Sequence, residues 1–278
     1  MARKTMAFYP PTPLLQEQGR KLRVEIGSLY VACSITDKDQ SLAFEFFELE
    51  NDINDWSDVF FEIKSNSQIL NKYTGSVDIL YNFQEVLLVP MEKLSSAAAS
   101  DYLTLIYGDS PKYEIKHDKL ADPLGIIMIY RVKTSIIDQA VRHFHLFQAQ
   151  HLYTSIIKRL TARTDLPVNF LKVQVYPYSF IAVLMINQQL QMIQTFAFKT
   201  TEDVCFYLLS MLKEHGITPA ETQIEMSGFI EPHGDLHRRL QQLFTNRHFH
   251  NLPEESLLPG MLEEYHPHTF TPFFNTVA

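Results

Sequence analysis

The sequence predicts an α/β protein built as two similar lobes, each opening with a β-hairpin, and three observations predict it. First, the stretch from Leu22 reads LRVEIGSLYVACSI, then a polar turn Thr36-Asp37-Lys38-Asp39-Gln40-Ser41, then LAFEFFEL. Two β-rich runs around such a turn signal a hairpin. Second, a similar stretch returns from Val173: VQVYPYSFIAVLMI, the turn Asn187-Gln188-Gln189, then LQMIQTFAF. Placing Ser28 over Ser179 sets SLYVACSI over SFIAVLMI and Val24 over Val175. Third, both hairpins run into an amphipathic helix. A repeat of this length is too long for a solenoid and implies two like α/β domains. Pairs of that kind bind ligands between the lobes.

The remaining elements follow from period and punctuation. Residues 1–20 hold Pro10, Pro11 and Pro13 and show no clear period, so they read as an arm against the body. Asn51-Asp52 offers a cap for a helix with Trp56, Val59, Phe60 and Ile63 on one face. Gly75 ends that unit. Ser76–Tyr81 and Glu85–Val89 are short strands, and Met91–Tyr107 reads as a helix favoured by Ala97, Ala98 and Ala99. Gly108-Asp109-Ser110-Pro111 breaks the chain. Strands follow at Tyr113–Leu120 and Gly125–Val132, with a turn at Asp122-Pro123 between them. Thr134 or Ser135 caps the next helix. Leu146–His151 is a strand and Leu152–Arg163 a helix.

Thr164-Asp165-Leu166-Pro167 is the joint between lobes. The second hairpin occupies Phe170–Lys199, with an extra bend at Pro177. Thr200 starts a helix with Val204, Tyr207, Leu208, Met211 and Leu212 inward, and Gly216 stops it. Gln223–Met226 is a strand and Leu236–Phe244 a helix. The divisions are therefore an N-terminal arm (1–20), a first lobe (21–166), a second lobe (167–252) and a C-terminal tail (253–278). The tail is rich in proline and aromatics. Its Phe270, Phe273 and Phe274 either pack on the body or form a hook for a partner.

Composition narrows the function classes. The 278 residues are 46% hydrophobic and 20% charged with a net charge of −8, the balance of a globular protein without a broad nucleic-acid surface. The longest apolar run, Phe180–Ile186, falls far below the ~20 residues of a membrane helix. The N-terminus has no signal-peptide core. Cys33 and Cys205 lie in apolar segments and read as buried thiols. Together these features place the chain in the cytoplasm.

A two-lobed chain whose lobes each open with a β-hairpin resembles the actin-like ATPases, whose fold is ribonuclease H-like. That group includes sugar kinases, Hsp70 and pilus-assembly or cell-division scaffolds. Its first hairpin carries Asp-x-Gly and a small hydroxyl residue. There the glycine lets backbone N–H groups approach phosphates and the aspartate places the metal. Val24-Glu25-Ile26-Gly27-Ser28 resembles this loop, with Glu25 moving the carboxylate by about one C–C bond, ~1.5 Å. The whole chain resembles a family of uncharacterised proteins from Bacteroidetes-type bacteria, a domain of unknown function with an actin-like fold. The resemblance covers roughly residues 20–250.

The departures concern the second phosphate loop, where Val175-Tyr176-Pro177-Tyr178-Ser179 has neither Asp nor Gly. Tyrosine rings fill the space of phosphates there, and Pro177 removes a backbone donor. The adenosine-side motif, a strand followed by Gly-Gly, keeps one glycine in Ile224-Glu225-Met226-Ser227-Gly228. The resemblance therefore implies a vestigial nucleotide site at Glu25, Gly27, Ser28, Ser227 and Gly228. It implies no catalytic residue and no cofactor, ATP with magnesium being the alternative. Gly27 also has a purely local reading as a bulge or close strand contact, with Glu25 an exposed strand residue.

Other constellations are weaker. His143/His145, His248/His250 and His266/His268 have H-x-H spacing, and on a strand such pairs share a face. Glu231, His233, Asp235 and His237 form a denser group, although Pro232 and Gly234 delay the helix that would align the two histidines. Surface and helix-end histidines account for these without a metal. Asp78 sits in an apolar strand, expected at an edge facing water. The preferred reading is a non-catalytic actin-like binding or scaffold protein with a protein partner, including a homodimer, and with no nucleic acid or membrane. A divergent ATP-binding phosphotransferase or ATPase is the rival, and a metal-dependent hydrolase on Glu231–His237 a third reading.

Overall fold

The structure is a computed structural model of the chain and describes residues 1–10, 20–37, 40–50, 53, 55–73, 75–94, 98–120 and 124–274. The features expected at Pro11, Pro13, Lys38, Asp39, Asn51, Asp52, Ala97, Asp122 and Pro123 lie outside the described residues. The chain forms two compact units, Met1–Lys158 and Arg159–Ala278.

The first unit runs β1 (Ala2–Phe8), β2 (Lys21–Gly27), β3 (Tyr30–Asp37), β4 (Gln40–Leu49), α1 (Trp56–Asn66), α2 (Gln68–Lys72) and β5 (Val77–Asn82). It continues with β6 (Val86–Pro90), α3 (Ala98–Tyr107), β7 (Tyr113–Leu120), β8 (Ile126–Lys133), α4 (Thr134–His143) and β9 (Phe147–His151), and α5 (Leu152–Ala162) carries the chain onward. The second unit comprises β10 (Asn169–Val175), β11 (Ser179–Ile186), β12 (Gln189–Ala197), α6 (Thr201–Glu214), β13 (Gln223–Gly228), α7 (Asp235–Leu243), β14 (Asn246–Phe249), α8 (Pro259–Glu264) and α9 (Pro267–Phe274).

The run LRVEIGSLYVACSI is not one strand. It folds back at Ser28-Leu29 into antiparallel β2 and β3, so the hairpin is a three-stranded meander with β4. VQVYPYSFIAVLMI likewise divides around Pro177 into β10 and β11. Residues 30–36 of β3 and 180–185 of β11 are buried at every position. Strands covered on both faces read as continuous apolar runs. Asn187 and Gln188 both have positive φ and close the two-residue turn between β11 and β12, as a type I′ connection requires.

The duplication is visible in the sheets. The first has the order β1-β4-β3-β2-β5-β9 and the second β12-β11-β10-β13-β14. Within both, the meander is antiparallel and the last two strands join in parallel. The first unit has two additions. Strand β1 lies on the outer edge of β4, so part of the expected arm is a strand. A three-stranded sheet, β6-β8-β7, with α3 packed on it, is inserted between β5 and β9. Leu103 of α3 joins Val89, Ile127 and Ile129 in its small core.

Caps follow the physics of helix ends more than the sequence expectation. The Asp55 carboxylate accepts from Ser57 N at 2.8 Å and caps α1. Thr134 is already the first helical residue of α4, and its cap, Lys133, makes no side-chain bond. Helix α6 carries a reciprocal Thr200/Asp203 capping box, and Gly216, at φ +67°, ends it. Met91–Lys93 form a 3-10 turn, and α3 starts at Ala98. Among the described residues no helix is long and apolar enough to cross a membrane.

Candidate functional site

The loops joining β2 to β3 and β10 to β11 are the two phosphate-loop positions. Ile26 faces Val31 and Val175 faces Phe180, each pair closing a four-residue connection. Gly27-Ser28-Leu29-Tyr30 is thus the counterpart of Tyr176-Pro177-Tyr178-Ser179. The alignment of Ser28 with Ser179 is off by two residues, and the structural counterpart of Glu25 is Gln174, not Tyr176. Both loops hold an inward tyrosine, at the last position in the first unit and at the first in the second.

In the first unit Glu25 is 1% exposed and is not the exposed strand residue of the local reading. Its carboxylate accepts from the Tyr30 hydroxyl, and Asn82 Nδ2 donates to the same hydroxyl at 2.6 Å. The Tyr30 ring stacks on Phe46 with centroids 5.3 Å apart. A Cβ on Gly27 would collide with that ring. Glycine is therefore required by tyrosine packing, whatever else approaches the backbone. Ser28, next to it, is exposed. Asp78 lies on β5 between β2 and β9, not at an edge, and stands opposite Arg23 in register. Burial lowers the Arg23 guanidinium pKa, and the carboxylates of Glu25 and Asp78 oppose that shift.

In the second unit Tyr176 is 1% exposed and Tyr178 is 52% exposed. The expectation that both rings fill one space fails because they flank Pro177 on opposite sides of a tight turn, closed by Tyr176 N donating to Ser179 O at 2.8 Å. Tyr176 packs edge-on against Phe273 of α9 at 6.0 Å. Ser227 is fully buried, opposite Gln174 across the parallel β10–β13 pair. Among the described residues neither the Gln174 amide nor the Ser227 hydroxyl has a hydrogen-bond partner. Gly228 has φ +90°, and a Cβ there would run into the Val175 carbonyl oxygen. The candidate residues fall in separate units: Glu25 and Gly27 meet at Tyr30, and Ser227 and Gly228 end β13.

The strongest electrostatic feature was not read from sequence. Lys172 and Glu225, 4% and 3% exposed, form an ion pair across β10 and β13 at 2.5 Å. Arg163 reaches the other carboxylate oxygen at 2.9 Å. His248 and His250 approach the same carboxylate at 3.3 and 3.2 Å. Burial disfavours the charge on Glu225, but His250 and Lys172 outweigh it and hold the carboxyl well below the ordinary range. Burial also lowers the His250 pKa, against the pull of Glu225, and its Nδ1 lies 3.0 Å from Lys172 Nζ and 3.2 Å from the Glu225 carboxylate.

His248 on β14 and His250 just past its end do reach one common group, but that group is a carboxylate already held by two cations. Among the described residues no group of three or more His, Cys, Asp or Glu is placed to hold a metal. In the Glu231–His237 group, α7 starts at Asp235 after Gly234. His237 Nδ1 accepts from the backbone N–H of His233 at 2.9 Å, and its Nε2 lies 3.1 Å from the Gln241 amide. Both ring nitrogens are engaged.

Phe270, Phe273 and Phe274 of the tail are buried, and α9 packs on β13. Thr271 donates to His250 O at 2.5 Å, and His268 Nε2 lies 2.8 Å from Ile230 O. The aromatic tail is thus part of the second unit's own core. Elsewhere an open groove of about 510 Å³, lined by Phe61, Lys64, Arg142 and His143, runs between α1 and α4. It holds His143 of the first H-x-H pair and none of the nucleotide-site candidates.

This geometry agrees with what the chain resembles. A protein of unknown function with an actin-like ATPase fold from Bacteroides thetaiotaomicron superposes with a TM-score of 0.74 at 13% identity, covering 94% of this chain and 97% of that one. The PilM–PilN type IV pilus biogenesis complex contains a chain that superposes with a TM-score of 0.61 at 14% identity, covering 91% and 96%. Comparison with the curated proteins finds no match. The chain has the actin-like ATPase fold, and its residues 13–246 match a single family over most of its length. The chain belongs to the family described as "Protein of unknown function (DUF3822)".

Proposed function

We propose that this chain is a non-catalytic, cytoplasmic member of the actin-like fold that works by binding a protein partner, with no nucleotide turnover. One observation carries the reading: a buried tyrosine occupies each phosphate-loop position. Tyr30 covers Gly27 and engages Glu25, and Tyr176 stands where the second loop's counterpart of Gly27 falls. Nucleotide phosphates are held by bare backbone N–H groups at glycine-rich turns, and aromatic rings at those positions oppose that. A protein partner is supported by the similarity to a chain of the PilM–PilN type IV pilus biogenesis complex. The net charge of −8 argues against nucleic acid.

The rival reading is a divergent ATP-binding phosphotransferase or ATPase with magnesium. Exposed Ser28 and the φ of +90° at Gly228 favour it. It would set Glu25, Gly27 and Ser28 on phosphate and Ser227-Gly228 by the base. Thermal unfolding with and without millimolar Mg-ATP separates the two, because a ligand at 100 times its dissociation constant adds ~2.7 kcal/mol. No shift is expected. A magnesium-dependent rise in midpoint would overturn the proposal and call for hydrolysis assays.

A further inference from the structure

Two helices of the first unit turn matching stripes into one groove. Phe61 and Lys64 of α1 fall at i and i+3, and Gln139, Arg142 and His143 of α4 at i, i+3 and i+4, so each set shares a helix face. The helices pack on each other, and the groove between them holds about 510 Å³. Phe60, on the inner side of α1, stacks on His143 with ring centroids 5.8 Å apart and fixes that wall. Phe61 is 72% exposed and lines the groove. Gln139 lines it too although only 5% exposed, and among the described residues its amide makes no hydrogen bond. Burying an unpaired amide is costly, and whatever pairs with this one enters through the groove.

The charges of the groove are one-sided. Lys64 Nζ lies 3.5 Å from His143 Nδ1, with Arg142 adjacent in the chain. Burial lowers the His143 pKa, and the charges of Lys64 and Arg142 lower it further. Among the described residues no carboxylate pairs with Lys64 or Arg142. The acid of the lining, Asp58, sits at the other end of α1, ~9 Å from Lys64 along the axis. On a chain of net charge −8, two unpaired cations beside an exposed phenylalanine are a local exception. Their chemistry selects an occupant. Guanidinium binds carboxylate through paired N–H donors, a primary amide donates and accepts as a peptide group does, and an exposed ring accepts an apolar side chain. Inorganic phosphate would leave Phe61 and Gln139 unused, and a purely apolar segment would leave the cations unpaired.

We propose that the α1–α4 groove binds an acidic peptide segment of a protein partner. Its carboxylates sit on Lys64 and Arg142, its backbone on the Gln139 amide, and a bulky apolar side chain against Phe61. This rests on the binding-protein reading above and names the class of partner and its docking surface; its test contains no nucleotide. The full chain is immobilised and challenged with a display library of random twelve-residue peptides. Enriched peptides should carry net negative charge and an aromatic or large aliphatic residue. By fluorescence anisotropy their dissociation constants should rise about tenfold or more in Arg142→Glu and in Phe61→Ser, both at exposed positions, with unfolding midpoints in place. Binding should also weaken between 50 and 500 mM NaCl. Lys213→Glu, an exposed change on α6, should leave affinity unchanged. A library that yields no binder, or yields neutral or basic ones, would overturn the proposal, as would binding that survives Arg142→Glu. Each of these leaves the Mg-ATP test of the non-catalytic reading untouched. Wild-type self-association that Phe61→Ser abolishes would overturn the proposal as well, by giving the groove to a second copy of the chain.

Discussion

The Tyr30 ring lies against the Cα of Gly27, so closely that a methyl group has no room between them. The same tyrosine donates to the buried Glu25 carboxylate. Two residues that in isolation resemble a phosphate loop are thereby tied into the core of the first unit. Gly27→Ala should cost about 1–3 kcal/mol through overpacking. Tyr30→Phe should cost a similar amount, about 1–3 kcal/mol, by removing a hydrogen bond from a buried carboxylate. Urea unfolding of both variants checks this, and an unchanged midpoint in Gly27→Ala would show that the ring moves freely.

The Lys172–Glu225 pair gives an asymmetric expectation. Removing one partner leaves the other charge buried, so Lys172→Met should destabilise by about 3–5 kcal/mol. Replacing both, Lys172→Met with Glu225→Leu, should recover most of that loss, as an apolar pair of similar volume needs no compensation. Chemical unfolding of the three proteins measures it. A double variant as unstable as the single would mean that Arg163 and the two histidines depend on Glu225 for their own placement.

His151 is fully buried, and its hydrogen bonds select the neutral ring: Nε2 donates to Phe83 O at 3.0 Å and Nδ1 accepts from Tyr153 N at 3.2 Å. Burial lowers its pKa to about 4. A base with a depressed folded pKa binds its proton more tightly when unfolded, so stability falls as pH drops from 6.5 towards 4. The loss approaches about 3 kcal/mol, at roughly 1.4 kcal/mol per pH unit. Melting temperatures between pH 7.5 and 4 should show the decline, and His151→Gln should flatten it.

Phe273 packs edge-on against Tyr176 and Phe229 and is 2% exposed. Phe273→Ala should cost about 3–5 kcal/mol. A tail that served instead as a hook for a partner would lose binding and leave the unfolding midpoint unmoved.

Much of this was legible in the sequence. The repeated hairpin, the helix start at Thr200 and the late start of α7 at Pro232-Gly234 are local signals, legible from neighbours in the chain, whereas the extra fold-back that makes each hairpin a meander is not. The register between the repeats was not. In a strand a shift of two residues returns every side chain to its original face, so SLYVACSI fits over SFIAVLMI as well as the true pairing does. Only the strand partners of Ile26 and Val175 distinguish the two. Lys172 and Glu225 were missed for a related reason: each alone looks like a solvated strand residue, and nothing nearby announces a partner far along the chain. β1 was missed because Arg3 and Lys4 hide its alternation, and its carboxylate partners lie more than forty residues away.

The two-residue turn at Asn187-Gln188 has a consequence in time. Closing it brings β11 and β12 together through contacts local in sequence, and hairpins form in ~1–10 μs. Residues paired across β10 and β13 are 53 positions apart, so that parallel contact waits for a much larger loop to close. The second unit thus assembles outward from its hairpin, and the ion pair is sealed late. Changes at Asn187 should alter the folding rate, whereas changes at Lys172 should leave it in place and hasten unfolding.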